Sequence, residues 1–395
     1  MGYADRQALR GTRELEVGPA TRGTTSMIRV VSLAVVIAIV PACRASQTEA
    51  IQGPKAAAIQ EELARRAGPG FGGAVVVETD GALVLKAGYG WADRERRIGF
   101  TPSTIAQIGS LTKQFTAVAI ADLALRGKLT LSDPLPRYLE GVPQKATGIT
   151  IHQLLTHTGG LPDACGGDFD RLSRQELIRR CLEDIDLSPP GRFEYSNLGY
   201  SILAAVLETV SGEPIEKYLA EHFFLPLHMD RTGYLFTPSL DRSLAHGYDG
   251  DAPQSPISDR LRPLGDDFWN LKGNGGMQAS AEDMYTWYRA LSSGPGIPDT
   301  LRRILVAPHV RRDDGVGYGY GWFVRTDESG RLEQVSHTGS DGVFYSAFVW
   351  RPADRIFYYL VTNSGEQAGA DVASMILRTL RSAQPSKDTP RRSHR

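Results

Sequence analysis

Strand-like segments lie at both ends of this chain, and helix-like segments fill the middle. Residues 72–92 have the pattern of a β-hairpin, and four strand-like runs follow one another over 319–362 before a closing helix at 370–380. This order favours an α+β fold, in which a central antiparallel sheet is flanked by helices and a mostly helical domain is inserted into it. We expect an active-site cleft between the two parts.

Local patterns predict where some of the middle helices begin. Ser173 and Glu176 have the spacing of a capping box, and Ser280 with Asp283 marks another helix start. Residues 237–265 are rich in Pro, Gly and Asp, and we expect a loop there.

Length and charge set broad limits on the architecture. A chain of 395 residues can bury a large core, and its 44 basic and 45 acidic residues nearly balance, so nucleic acid is not an expected partner. We expect one catalytic unit over 55–384, divided into a sheet subdomain (55–100 and 266–384) and a helical subdomain (101–265). A disordered basic tail is expected at 385–395.

The N-terminal region has features of an exported protein. Residues 30–42 are almost wholly apolar, which suits a signal peptide and is too short to span a bilayer. Cys43 follows as in a bacterial lipoprotein cleavage box, although Pro41 is unusual there and ordinary signal-peptidase cleavage is an alternative. The expected order is a non-translated or disordered extension (1–26), a signal peptide (27–43) and a linker (44–54). We therefore expect a periplasmic or cell-envelope protein with a lipid anchor to the membrane at Cys43.

Export bears on the two remaining cysteines, Cys165 and Cys181. In an oxidising compartment such a pair tends to form a disulfide, which we expect here. The alternative is two free thiols that are buried separately.

A serine and a lysine are three residues apart at the start of an apolar helical pattern. Ser110 and Lys113 would therefore lie on the same face of the helix. A hydroxyl is a weak nucleophile until a base takes its proton, and a buried lysine can act as that base or lower the pKa of another base that does so. By itself this spacing also arises by chance in many helices.

A second motif contains Tyr195 and Asn197, which share one face if the segment is extended. With its pKa lowered by nearby cations, the Tyr195 phenol could act as base on Ser110 and as acid on the leaving group. Asn197 could donate to a substrate carbonyl and hold Lys113. The alternative is an ordinary surface turn.

A third motif runs from His337 through Thr338 and Gly339 to Ser340 on a predicted strand. Gly339 would let a ligand approach the strand closely, and the Ser340 amide could pair with that of Ser110 to hold an oxyanion. His337 could form a hydrogen bond or, when protonated, attract a carboxylate. A strand-end turn with a polar histidine is the alternative.

The three motifs occur in this order, together with residues 154–161, 275–277 and 280–283, and the whole resembles the serine beta-lactamase-like family of class C type. That family includes DD-peptidases, D-aminopeptidases and esterases, and the resemblance covers roughly residues 55–380. It implies acyl transfer without metal or cofactor on a small-molecule or peptide amide or ester. By this resemblance the nucleophile is Ser110, the proton-transfer pair is Lys113 and Tyr195, the substrate-binding residues are Asn197, His337, Thr338 and Gly339, and the oxyanion hole is formed by the Ser110 and Ser340 amides.

One departure from the family pattern bears on the substrate. Beta-lactamases of this class usually have lysine where this chain has His337, and an unperturbed histidine is mostly neutral at pH 7. We therefore expect a peptidase or esterase of DD-carboxypeptidase, D-aminopeptidase or carboxylesterase type. The alternatives are a genuine beta-lactamase and a non-catalytic penicillin-binding or sensor module. An anchored structural lipoprotein would explain only the N-terminus. We expect His157, Asp163 and Asp283 to be structural, turn and cap residues.

Overall fold

A nine-stranded antiparallel sheet joins the N-terminal and C-terminal parts of the chain. The computed structural model describes residues 46–67, 71–184, 186–235 and 243–382. The strands are β1 (Ser46–Ile51), β2 (Gly73–Thr79), β3 (Ala82–Tyr89), β4 (Trp91–Asp93), β5 (Ile98–Gly99), β6 (Ala106–Gln107), β7 (Thr232–Gly233), β8 (Gly247–Asp249), β9 (Ala252–Gln254), β10 (Gln278–Ala279), β11 (Val310–Arg311), β12 (Gly317–Tyr318), β13 (Phe323–Thr326), β14 (Leu332–Ser340), β15 (Tyr345–Arg351) and β16 (Ile356–Thr362).

The large sheet has the order β1-β3-β2-β16-β15-β14-β13-β12-β11. The helices are α1 (Gly53–Ala67), α2 (Thr112–Leu125), α3 (Ile151–Leu155), α4 (Arg174–Glu183), α5 (Asn197–Ser211), α6 (Ile215–Leu219), α7 (Ile257–Leu261), α8 (Ala281–Ser292), α9 (Asp299–Val306) and α10 (Glu366–Arg381). The predicted α+β class with a large antiparallel sheet and helices is confirmed.

Each face of the sheet packs against helices, because successive side chains of a strand point to opposite sides. On β2, Val75 and Val77 join one apolar cluster with residues of α1 and α10. Val76, between them, joins the other cluster, which includes most of α2 and α5. The sheet therefore lies between a two-helix layer and the main core.

Helix α2, which carries Lys113, is buried on nearly all sides. Eleven of its 14 residues are buried, including the polar Thr112, Lys113, Gln114 and Thr116. A helix without a polar face lies inside a core, where its polar side chains must find partners. Thr116 Oγ1 accordingly donates to the carbonyl of Gly273 at 2.7 Å.

The structure differs from the sequence-based expectations in three segments. Within the predicted linker 44–54, β1 pairs with β3, and Glu49 forms an ion pair with Lys86 of β3. The predicted loop 237–265 contains β8, β9 and α7, and α9 was not predicted. These elements are short or lie at an edge, so their periodicity is weak and pairing with the rest of the fold decides them.

The predicted extension 1–26, the signal peptide 27–43 with Cys43, and the tail 385–395 lie outside the described residues. Within the described part of the chain, none of the helices has the length and apolar character needed to span a bilayer. The division of 55–384 into two subdomains stays a prediction.

Candidate active site

Ser110 lies in a single 3-10 turn, Gly109–Leu111, directly before α2. Two hydrogen bonds of the Thr112 hydroxyl fix this turn. Oγ1 donates to the carbonyl of Gly109 at 2.8 Å and accepts from the amide of Met277 at 3.2 Å. Ser110 is partly exposed, whereas Lys113 is fully buried beneath it. Ser110 is therefore accessible from solvent, whereas the neighbouring Lys113 amine is not.

The Lys113 amine is held by three oxygen atoms. Nζ lies 3.0 Å from Ser110 Oγ, 2.5 Å from Asn197 Oδ1 and 2.9 Å from the carbonyl oxygen of Asn274. The amide and carbonyl oxygens can only accept, so they take two N–H groups. In the neutral amine the remaining lone pair faces Ser110 Oγ, which can then donate its proton to Nζ.

Burial allows the Lys113 amine to be unprotonated near pH 7. Desolvation lowers the pKa of Lys113 to about 7, and the charges of Asp163 and Asp168 oppose this shift. A substantial fraction of the amine is therefore unprotonated at neutral pH and suited to general-base catalysis.

Tyr195 lies beside this pair as a neutral phenol. Its hydroxyl forms a hydrogen bond with Ser110, and Lys113 Nζ lies 4.8 Å from its ring centroid. Burial raises the pKa of Tyr195, and the hydrogen bond with Ser110 only partly opposes this. The prediction of a lowered pKa is therefore wrong, because desolvation and the negative charge of Asp163 both disfavour a phenolate. The phenol is better suited to donate a proton than to accept one.

Asn197 is the first residue of α5, and its side-chain orientation is fixed by Asp163. Asn197 Nδ2 donates to Asp163 Oδ1 at 3.0 Å, and the Asn197 backbone amide donates to the same oxygen at 3.2 Å. The amide oxygen is thereby turned towards Lys113. The carboxylate also favours the helix N-terminus, where amides lack partners within the helix.

Two residues of this arrangement were missed or undervalued from the sequence. Asp163 was expected to be only a turn residue, although it lies two residues after the 154–161 motif. Asn274 acts through its backbone carbonyl, which has no signature of residue type. Its nearest sequence signal is the adjoining 275–277 motif, and Asn274 Nδ2 donates to Ser201 Oγ at 2.7 Å, which anchors it.

Two glycines let strand β14 approach the Ser110 turn. A Cβ at Gly109 would lie 2.7 Å from the Ser340 amide nitrogen, and a Cβ at Gly339 would lie 2.8 Å from that of Ser110. The Gly339 Cβ would also lie 2.0 Å from the carbonyl oxygen of Ile108, so any side chain there is excluded. Both predicted oxyanion-hole amides therefore lie at this close contact.

His337 faces into the protein, whereas Thr338 is exposed, as the alternation of a strand requires. The His337 side chain is 2% exposed. Its Nδ1 donates to the carbonyl of Thr338 at 2.6 Å, and Nε2 lies 3.4 Å from the Tyr318 hydroxyl. Burial, with the charge of Lys113, lowers the pKa of His337 to about 3. Of the two roles considered for His337, the structure contains the hydrogen bond, and burial disfavours the protonated form that would attract a carboxylate.

Cys165 and Cys181 are joined by a disulfide, with Cα atoms 5.6 Å apart. The bond ties the loop after Asp163 to the buried side of α4.

Comparison with known proteins identifies the family. A family model described as Beta-lactamase matches residues 56–379, so the chain belongs to the beta-lactamase family, and the resemblance read from the motifs is confirmed. Proteins of this family are usually serine hydrolases, and the proteins similar to this chain include both enzymes and penicillin-binding proteins.

Individual relatives agree with this placement. The chain is 35% identical over 253 residues to the putative penicillin-binding protein PbpX of Bacillus subtilis, covering 63% of this chain and 62% of that protein. The octameric penicillin-binding protein homologue from Pyrococcus abyssi has a TM-score of 0.68 at 27% identity, covering 85% and 78% of the two chains. A class C beta lactamase from Rhodobacter sphaeroides has a TM-score of 0.68 at 22% identity over 83% and 98%, which shows the fold alone. The chain spans about three fifths of the length of the curated relatives it matches.

Proposed function

We propose that this protein is a serine hydrolase that forms an acyl-enzyme on Ser110 and is of peptidase or esterase type. The observation that carries the proposal is the position of the buried Lys113 Nζ, 3.0 Å from Ser110 Oγ, with its other two hydrogen bonds directed to oxygens that only accept. A lysine with a pKa of about 7 in that position is a base matched to neutral pH.

In the proposed acylation, Ser110 Oγ attacks the carbonyl carbon of the substrate while its proton passes to Lys113 Nζ. The oxygen of the tetrahedral intermediate is held by the amides of Ser110 and Ser340. When the bond to the leaving group breaks, the Tyr195 hydroxyl supplies the proton that the departing amine or alcohol needs. Lys113 then returns its proton to Tyr195. In deacylation, water attacks the ester carbonyl and passes a proton to Lys113, and Tyr195 protonates Ser110 Oγ as the acyl group leaves.

The charges around the site favour substrates that have no carboxylate near His337, the position where beta-lactamases of this class usually have a lysine. His337 is neutral there, with Nδ1 donating to Thr338 and Nε2 beside the Tyr318 hydroxyl. Burial raises the pKa of Asp168 and of Asp341, the charge of Asp341 adds to the shift of Asp168, and the charge of Arg260 opposes both shifts. Asp168 and Asp341 thus bring two acidic groups to this part of the site, against the single cation of Arg260. A substrate carboxylate would meet more acidic than basic groups there, which favours the D-aminopeptidase and carboxylesterase types over the DD-carboxypeptidase type.

The names of the relatives favour a second candidate, a penicillin-binding protein whose acyl-enzyme with penicillin turns over slowly. The same nucleophile would be used, and only deacylation would differ. A genuine beta-lactamase is the remaining alternative within the family.

One set of incubations separates these functions. The protein is treated with a p-nitrophenyl ester, D-alanine p-nitroanilide, a chromogenic cephalosporin and a fluorescent penicillin, with Ser110→Ala as control. The proposal expects Ser110-dependent ester or anilide turnover and slow cephalosporin loss. Labelling by penicillin without any turnover would favour the penicillin-binding candidate, and fast cephalosporin loss a lactamase. Activity that persists in Ser110→Ala would overturn the hydrolase proposal.

We also propose that the protein is exported and anchored through a lipid on Cys43. The apolar segment that precedes Cys43 and the Cys165–Cys181 disulfide, which suits an oxidising compartment, support this. Detergent phase partitioning of cells that express the full chain or Cys43→Ala tests the anchor. The lipid-dependent account expects only the unsubstituted chain in the detergent phase.

A further inference from the structure

His157 has an unusual backbone conformation for its residue type. It follows the C-terminal end of α3 at φ 57°, in the left-handed region that glycine ordinarily occupies. A side chain in this conformation costs about 1–2 kcal/mol. His157 is nevertheless only 2% exposed, so its ring lies inside the protein rather than in solvent. Strained residues of this kind cluster at functional sites, where the surrounding structure holds them in place.

The ring and carbonyl of His157 hold the segment around Tyr195 from both sides. The Glu194 amide donates to the His157 carbonyl at 2.8 Å, and the Ser196 amide donates to His157 Nδ1 at 3.1 Å. Between these two bonds the imidazole lies against the Tyr195 ring, with centroids 4.4 Å apart. The direction of the Tyr195 side chain therefore depends on His157.

The other ring nitrogen of His157 reaches towards the third motif. Because Nδ1 accepts from the Ser196 amide, the ring proton is on Nε2, which donates to the Tyr318 hydroxyl at 3.1 Å. The Tyr318 oxygen lies 3.4 Å from Nε2 of His337, whose own proton is on Nδ1. The single proton of the Tyr318 hydroxyl is shared between Nε2 of His337 and the hydroxyl of Tyr200, whose own proton goes to the carbonyl of Leu155 at 2.9 Å. Burial lowers the pKa of His157 well below its usual value, so this chain of contacts is uncharged.

We propose that His157 is a positioning residue for the hydrolysis: it holds Tyr195 against Ser110 and, through Tyr318, links the Tyr195 segment to His337 on β14. The inference rests on the proposed function and concerns the same site. Displacing a reacting group by about 1 Å can lower the reaction rate about a hundredfold. Loss of the His157 contacts is thus expected to act on the chemical step more than on substrate binding.

The test compares two substitutions of His157 with one at a matched histidine. His157→Phe keeps a ring beside Tyr195 but has no nitrogen, whereas His157→Asn tolerates the left-handed backbone and offers an oxygen near the place of Nδ1. His152→Asn is the control, because His152 lies in α3, the short helix that directly precedes His157, and also contacts a tyrosine hydroxyl, that of Tyr320, at 2.9 Å.

Four quantities are measured for each variant: the rate at which a fluorophosphonate labels Ser110, kcat for a p-nitrophenyl ester, KM for the same ester, and the melting temperature. We expect His157→Phe to lower the labelling rate and kcat about 10- to 100-fold, with KM within about threefold of the unsubstituted protein. His157→Asn is expected to regain at least about a tenth of the labelling rate and kcat that His157→Phe loses. For His152→Asn we expect both quantities to stay within about twofold of the unsubstituted protein.

Folding failure of one variant does not remove the test. Tyr318→Phe breaks the contact of Tyr318 with Nε2 of His157 but leaves the Ser196 contact in place, and we expect a smaller loss in kcat of about 3- to 10-fold. A folded His157→Phe with unchanged labelling rate and kcat, an equal loss in His157→Phe and His157→Asn, or an equal loss in His152→Asn would each overturn the inference. Absence of Ser110 labelling in the unsubstituted protein would instead overturn the proposed function, and this is seen before any variant is compared.

Discussion

Replacing Asp163 by asparagine is expected to move the acid limb of the pH–rate profile to lower pH. The neutral form of Lys113 is the proposed base, so kcat/KM should rise with pH through the pKa of this lysine, about 7. The negative charge of Asp163 favours the protonated amine and so raises that pKa. The asparagine keeps an oxygen that can accept from Asn197 but removes the charge.

The size of the shift follows from the two hydrogen bonds of Asn197. Its side-chain oxygen lies 2.5 Å from Lys113 Nζ, and its side-chain nitrogen lies 3.0 Å from the Asp163 carboxylate. The two charges are therefore about 6 to 7 Å apart. At effective dielectric constants between ~20 and ~80 this gives about 0.6 to 2.6 kcal/mol, or about 0.5 to 2 pKa units. Because Asp163 is exposed, we expect the lower part of this range, about 0.5 to 1 unit.

The assay measures kcat/KM for a p-nitrophenyl ester between about pH 5 and 9, each variant being normalised to its own plateau. At pH 6 a shift of 0.5 to 1 unit raises the neutral fraction of Lys113 about 2.5- to 5-fold. Asp80→Asn is the control. Gly73, at the start of β2, is level with Ser340 across the sheet, and Asp80 follows the other end of β2. Asp80 therefore lies roughly 25 Å from Ser340. A profile without an acid limb, or a limb that stays in place in Asp163→Asn, would refute the reasoning.

Three further predictions concern the phenol, the glycine contact and the disulfide. Tyr195→Phe, which keeps the ring, should lower kcat for the ester about 10- to 1,000-fold with little change in KM, and a kcat within twofold of the unsubstituted value would count against the proton-donor role. Gly339→Ala places a Cβ 2.0 Å from the Ile108 carbonyl oxygen, so urea unfolding should show a loss of about 1–3 kcal/mol and Ser110 labelling should fall; an unchanged protein would contradict the close contact. Reduction of the Cys165–Cys181 bond, which joins residues 16 apart, should cost about 3 kcal/mol and lower the melting temperature, and an equal melting temperature with and without reductant would argue against its contribution.

Features that depend on local sequence were predictable. The capping box at Ser173 and Glu176 and the cap of α8 at Ser280 are present in the structure, because a cap is made within four residues. The hairpin β2–β3 and the strands β15 and β16 follow from short apolar runs rich in β-branched and aromatic residues. The α+β class follows from the order of these elements.

Features that depend on distant contacts were not predictable in the same way. The Asn274 carbonyl reaches Lys113 across 161 residues and carries no side-chain signature. The pKa of Tyr195 was expected to fall because charges near it were considered, whereas the structure adds burial, which acts in the opposite direction. His337 likewise turns its ring into the core, which its residue type did not reveal.

The central claim is that Ser110 is the acylated nucleophile. The most direct measurement is intact and peptide mass spectrometry of the protein after treatment with a fluorophosphonate, beside Ser110→Ala treated identically. Our account predicts a single adduct, located on the peptide that contains Ser110, formed faster above pH 7 than below it, and absent from Ser110→Ala. An adduct on another residue, or an equal adduct in Ser110→Ala, would contradict it.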